Sequence, residues 1–257
     1  MSALPLPTFV IIGAQKSATR WLRLNLGLHP DVFASRTEIE FFNNAQRFDE
    51  LGEEWYRAQF AGWHGEPFVG EATPGYMFFR HDPSVVTQRI ARVVPAARLL
   101  AILRNPIDRA QSALAHHISF GALPPETDLL DYVRGVAPER DHLGIISGGW
   151  YAASLEPFAN RFGDQLLVLL HDDVDDDPRA VYNRALCHVG LAPDFAPMDL
   201  ERVRFSTQSG VVRHPGECRL APEARRELYE FFASDVEKLS AMLDRDLSIW
   251  APDAPVL

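Results

Sequence analysis

Residues 9–22 read FVIIGAQKSATRWL, and the interpretation of this stretch decides the fold. Phe9 to Ile12 have the apolar character of a short buried strand, Gly13 breaks it, and a helix carrying Trp21, Leu22, Leu24 and Leu26 follows. A strand, a turn and a helix N-terminus in that order aim several backbone N–H groups, and the positive end of the helix dipole, at one point. Lys16 brings a full positive charge to the turn, while Ser17 and Thr19 can donate hydroxyl hydrogen bonds and cap the helix. An anion of phosphate size suits such a turn. It is not the common nucleotide loop, because the glycine that precedes lysine in G-x-x-x-x-G-K-[ST] is missing. Alone, the stretch is compatible both with phosphate or sulfate binding and with ordinary capping of a surface helix.

Outward from this loop, apolar runs of strand length alternate with longer periodic segments. Strands are expected at Phe9 to Ile12, Phe68 to Gly70, Arg98 to Leu103 and Gln165 to Leu170. Helices are expected at Ala18 to Leu28, Pro83 to Val94, Pro106 to Ile118, Gly149 to Phe162, Pro178 to Val189 and Pro222 to Leu243. The strands do not alternate with polar residues, so both of their faces are buried. That pattern predicts a single α/β domain over residues 1–257, with a central parallel sheet flanked by helices. No repeat, low-complexity segment or interdomain linker interrupts it.

A second cationic element follows in RLLAILRNPIDRAQSALAHH, residues 98–117. Arg104 stands at the carboxyl end of an apolar strand, where ligands bind in open parallel sheets. Asn105 is a good N-cap and Pro106 fits the first helical position, so a helix starts at once and carries Ser112 about two turns in. An arginine and a hydroxyl converging on a strand end suit a second phosphate; a surface arginine with a helix-facing serine is the plainer reading of the segment by itself.

The order and character of the two segments resemble the signature regions of sulfotransferases that use 3′-phosphoadenosine 5′-phosphosulfate (PAPS) and release 3′-phosphoadenosine 5′-phosphate (PAP). GAQKSATRWL is similar to that family's K-x-x-T-R loop, which accounts for the missing glycine, and Arg104 with Ser112 has the spacing of its 3′-phosphate site. The likeness is nearest to heparan-sulfate-type enzymes and their bacterial relatives: LGLHPDVFASRTEIEFFNN (26–44), VGEATPGYMFF (69–79) and the C-terminal LYEFFASDVEKLSAMLDRDLSIW resemble their segments, so the likeness runs from about residue 8 to residue 250. It implies a P-loop NTPase-like fold and donor contacts from Lys16, Ser17, Ala18, Thr19, Arg20, Arg104 and Ser112. It further implies Glu38 as general base, with Lys16 stabilising the departing phosphate. TQSGVVRHP (207–215) resembles a late loop covering the nucleotide, with Ser209, Gly210 and Arg213 as candidates. One departure stands out: Ala72 occupies a position where the related enzymes usually carry lysine.

His116 and His117 lie close enough to the Arg104 helix start to be weighed as a second base, against helix-face or acceptor-pocket roles. Trp55, Tyr56, Trp63 and Tyr76 can line an acceptor pocket or pack in the core. The net charge of −10 argues against nucleic acid and against a polyanionic acceptor unless a basic cleft is present. A small-molecule, sugar or secondary-metabolite hydroxyl, or an amine, is the expected acceptor. Two cysteines, Cys187 and Cys218, give neither a disulfide framework nor metal-ligand spacing, and no metal is expected. The opening MSALPLPTFVIIG has no basic region before a long apolar run, and nothing is long enough to span a bilayer, so a cytoplasmic enzyme without membrane insertion is expected. A P-loop kinase or nucleotide hydrolase would need the missing glycine and a metal-holding acid. Against a noncatalytic nucleotide-binding or scaffold protein stands the presence of Glu38 together with Lys16.

Overall fold

The computed structural model describes residues 4–78, 82–137, 140–198, 200 and 220–252. Ser209, Gly210, Arg213 and Cys218 lie outside the described residues. Five strands, β1 (Phe9–Gly13), β2 (Val32–Ala34), β3 (Phe68–Ala72), β4 (Arg98–Leu103) and β5 (Leu166–Leu170), form one sheet in the order β2-β3-β1-β4-β5. Every neighbouring pair is parallel, with Phe9 opposite Gly70 on one side and Val10 opposite Leu99 on the other.

Both faces of the sheet are buried, as the apolar runs require. Phe9, Ile11, Leu100 and Ile102 point to the side covered by α1 (Thr19–Leu26) and α8 (Pro178–Val189), against Trp21, Leu22, Tyr182 and Leu186. Val10, Ile12, Leu99, Ala101 and Leu103 point to the other side, against Val86 and Ile90 of α3 (Pro83–Val93) and Leu155 and Phe158 of α6 (Tyr151–Phe162). Each such Val, Leu, Ile or Phe side chain, wholly withdrawn from water, contributes on the order of 1.5–3 kcal/mol. Gly70 is fixed by this packing, since the Phe9 ring lies across it and a Cβ there would meet ring carbons at 2.0–2.6 Å.

The expected strands and most expected helices form, and each difference has a physical cause. β2 is only three residues long, too short to show periodicity, and α2 (Gly52–Ala58) grows out of a π-helical turn at Gln46–Leu51. Two further short helices, α5 (Leu129–Gly135) and α7 (His171–Asp176), were not expected. α4 (Pro106–Ser119) begins as anticipated, with Ile107 N donating to the Asn105 side chain at 3.0 Å. The long C-terminal helix is two, α9 (Pro222–Glu230) and α10 (Ala233–Leu243), because Phe232 turns into the core. That turn brings Asp235 to the start of α6, where it accepts from Ala152 N and Ala153 N at 3.0 and 3.2 Å. α6 accordingly starts at Tyr151, after a short 3-10 turn, and not at Gly149.

Candidate active site

The loop Ala14 to Ala18 leaves the carboxyl end of the central strand, where the chain's course across the sheet reverses. This is the place where an open α/β sheet presents a crevice. Ala14 N donates to Ile102 O at 2.9 Å, tethering the loop to β4, and Ser17 N turns back to Ala14 O at 3.2 Å. Lys16 and Ala18 both have positive φ, 68° and 71°. Such left-handed positions cost a non-glycine residue about 1–2 kcal/mol each, and loops that carry them curl their N–H groups around a concavity.

The capping expectation is not met. Ala18 is the N-cap of α1, no side chain caps its first turn among the described residues, and Thr19 is already helical. Ser17 is fully buried and its Oγ has no hydrogen-bond partner. Tyr151 Oη is near enough to feel it, but spends its proton on Arg104 O at 2.9 Å and makes no bond of proper geometry with Ser17. A buried hydroxyl left open costs about 1–3 kcal/mol. Together with the uncapped helix end, it fits a bound phosphate-type oxygen at this position.

Positive charge converges on the loop. The half-buried Lys16 ammonium is held below its usual pKa by burial first, then by Arg104 and Arg109; Glu38 alone opposes. Glu38 is displaced the other way, upward, by burial first and then Glu40, with Arg23 and Lys16 opposing. Glu38 is exposed at the surface, yet the protein around it still thins the water on its other sides, which reconciles its exposure with that rise. Lys16 is thus within electrostatic reach of both Arg104 and Glu38. Ser112 is half-buried on α4, about 9 Å along the helix from its first residue. Arg20 is exposed in the first turn of α1.

Arg109 was not anticipated. It is fully buried, and donates from Nη2 to Gly144 O at 2.9 Å and to Ile145 O, while Nε and Nη1 are without partners. Gly148 makes room for it, as a Cβ there would lie 2.6 Å from Nη1. The signal was an arginine on the apolar face of α4, four residues before the buried Ala113. A cavity of about 270 Å³ lies beside the loop, lined by Ala14, Gln15, Gly75, Phe78, Arg109 and His117 among others. Burial, Lys16 and His117 push His116 down to about 4, so its ring is neutral near pH 7. His117 Nε2 is 3.0 Å from Leu143 O.

None of the four singled-out aromatics lines this cavity. Trp63 donates to Glu66 O at 2.8 Å, and Trp55 stacks on Phe41 with centroids 6.2 Å apart. Tyr56 and Tyr76 are fully buried and donate to Glu71 Oε1 at 2.6 and 2.9 Å, and Thr73 Oγ1 donates to Oε2 at 2.8 Å. Burial raises the Glu71 carboxyl to about 7 in spite of these three donors. This cluster also escaped the sequence reading, although a glutamate inside the apolar strand FVGEA was a signal. No group of three or more metal-ligating side chains gathers among the described residues.

Sheet order, switch-point loop and converging cations define an open parallel α/β fold with a cationic crevice at its switch point. The sulfotransferase domain matches residues 6–206, and the chain belongs to that family. It is 30% identical over 186 residues to human heparan sulfate glucosamine 3-O-sulfotransferase 6, covering 72% of this chain and 52% of that one. It is 28% identical to human bifunctional heparan sulfate N-deacetylase/N-sulfotransferase 2, over 93% of this chain and 30% of the relative. The chain therefore spans about half, or less, of the length of these curated relatives. A sulfotransferase from Alicyclobacillus acidocaldarius superposes with a TM-score of 0.75 at 28% identity, over 96% of this chain and 99% of that one. The expected fold and family are confirmed.

Proposed function

We propose that the chain transfers a sulfuryl group from PAPS to a hydroxyl, or less readily an amine, of a saccharide. The observation that carries this reading is the buried, unpartnered Ser17 hydroxyl at the uncapped start of α1, beside the Lys16 ammonium, whose charge feels Arg104 and Arg109. The acceptor oxygen attacks sulfur in line, its proton passes to the Glu38 carboxylate, and the bond from sulfur to the bridging oxygen breaks as PAP departs. Burial makes Glu38 a stronger base than a carboxylate in water. Lys16 donates to the bridging oxygen as charge builds there. The open Ser17 hydroxyl and the leading N–H groups of α1 would take the 5′-phosphate, and Arg104 with Ser112 the 3′-phosphate. A saccharide acceptor is supported by the names of the relatives, one acting on an amino-sugar hydroxyl and the other on an amine.

Calorimetric titration with PAP, beside ATP with magnesium, tests the donor. Tight binding of PAP that survives a chelator, with little response to ATP, is the expected result. ATP binding without PAP binding would replace this reading with a kinase or hydrolase site. Transfer of labelled sulfate from PAPS to glucosamine-containing oligosaccharides, compared with 2-naphthol, then tests the acceptor class.

A further inference from the structure

The segment that carries Glu38 is not held by regular structure. It follows β2 and precedes the π-helical turn, and Glu40, two residues on, has a positive φ of 48°. A non-glycine residue holds such a conformation only where its surroundings over-determine it. Here they do. Ile39 N and Glu40 N both donate to Thr73 Oγ1, at 3.1 and 3.2 Å, and Phe41 N donates to Tyr76 Oη at 3.1 Å. A hydroxyl can accept on its lone pairs in a fixed direction only when its own proton is committed elsewhere. Both hydroxyls commit theirs to one carboxylate, Thr73 to Glu71 Oε2 and Tyr76 to Glu71 Oε1. Tyr56 supplies a third donor to the same carboxylate.

We propose that Glu71 is the positioning residue of the general base: when ionised, and so an acceptor only, its carboxylate orients Thr73 and Tyr76, which fix the main chain at 39–41 and so aim Glu38 at the reaction. The inference rests on the reading of Glu38 as base. A merely structural carboxylate would be satisfied by any three donors. What is specific here is that two of the three pass the bond on to three consecutive amides, beginning with the residue after Glu38. Thr73 and Tyr76 lie two and five residues beyond Glu71, so one strand end and the turn after it hold the whole device. Glutamine at position 71 would present an N–H₂ to one of these hydroxyls. That hydroxyl would have to reverse its proton and point it at an amide N–H it now accepts from.

Amide hydrogen exchange on the full chain reads this directly. In Glu71→Gln the amides of Ile39, Glu40 and Phe41 should exchange at least tenfold faster, while those of Ile11 and Leu100 in the sheet keep their rates and PAP affinity stays within twofold. Thr73→Val should release Ile39 and Glu40 but not Phe41, Tyr76→Phe should release Phe41 alone, and Thr73→Ser should restore the wild-type pattern. These variants carry the test if Glu71→Gln does not fold. Unchanged exchange at 39–41 in Glu71→Gln, or in both Thr73→Val and Tyr76→Phe, overturns the proposal. Turnover is followed as PAP release from PAPS with water as acceptor. Glu71→Gln should lower kcat at least tenfold with KM for PAPS unchanged, and should add no further loss in a Glu38→Gln background. A slow Glu38→Gln with a wild-type Glu71→Gln refutes positioning alone, whereas a Glu38→Gln that turns over normally refutes the base assignment and the positioning role with it.

Discussion

Glu71→Gln also isolates a pH dependence of stability. The carboxyl titrates near 7 in the fold against 4.5 as its ordinary value, because burial outweighs the bonds from Tyr56, Thr73 and Tyr76. The groups facing it are those two phenols, both pushed well above 10 and therefore neutral throughout, and Glu38, whose negative charge raises Glu71 further. Between these two pH values the folded state holds a proton that the unfolded chain has released, so stability falls as pH rises across the interval. The favourable contribution is complete below about 4.5 and lost above about 7. At about 1.4 kcal/mol per pH unit, the loss amounts to about 3 kcal/mol. Glutamine has no such proton. The expected result is that the stability of the wild type minus that of Glu71→Gln falls by about 3 kcal/mol from pH 4.5 to pH 8. Urea denaturation at fixed ionic strength measures it, and taking the difference cancels the other titrating groups. Parallel stability curves for the two proteins would refute the argument that burial dominates at Glu71.

Four further outcomes are expected. Arg104→Ala should weaken PAP binding by about 1.5–3 kcal/mol, the worth of a charge-assisted bond, read by calorimetry as roughly a 10- to 150-fold rise in Kd. Lys16→Met should likewise weaken PAP binding yet raise the urea midpoint of the free protein, because burial and two arginines disfavour that ammonium when no anion is bound. A lowered midpoint would count against the crowding of cations. His116→Gln should leave the pH–activity profile between pH 5.5 and 8 unchanged in shape, since the ring is already neutral there. Gly70→Ala should destabilise by about 1–3 kcal/mol through collision with the Phe9 ring, and Phe9→Leu in the same chain should recover part of the loss in thermal unfolding.

The architecture was readable where burial writes itself into short apolar runs. FVIIG, RLLAIL and LLVLL are apolar at nearly every position because each strand is covered on both faces, and Asn105 with Pro106 announced α4 by local chemistry. Val32–Ala34 was not readable, since three residues hold no period, and Pro222–Leu243 looked continuous because the break at Phe232 is driven by a distant contact with Gly149 and by Asp235 reaching α6. The two cations of the candidate site were singled out by the same logic, Lys16 after β1 and Arg104 after β4. Its supports were not. Tyr56 meets Glu71 across 15 residues, and Arg109 meets Ile145 across 36. Such partners leave no spacing rule in the chain, only the oddity of a charged residue among apolar ones.

The placing of β1 between β3 and β4 has a consequence for how the protein is made. Val10 pairs with Glu71 on one side and with Leu99 on the other, so the central strand is synthesised about 60 residues before its first neighbour and about 90 before its second. At translation rates of about 5–20 residues per second, it waits roughly 4 to 18 seconds for that second neighbour, apolar on both faces. Every pairing of this strand is long-range and parallel, which makes its closure slow. The Ala14–Ala18 loop at its end, tethered through Ala14 N to Ile102 O, cannot take its final form before β4 arrives, and a ligand that binds only the finished loop would draw the sheet toward completion.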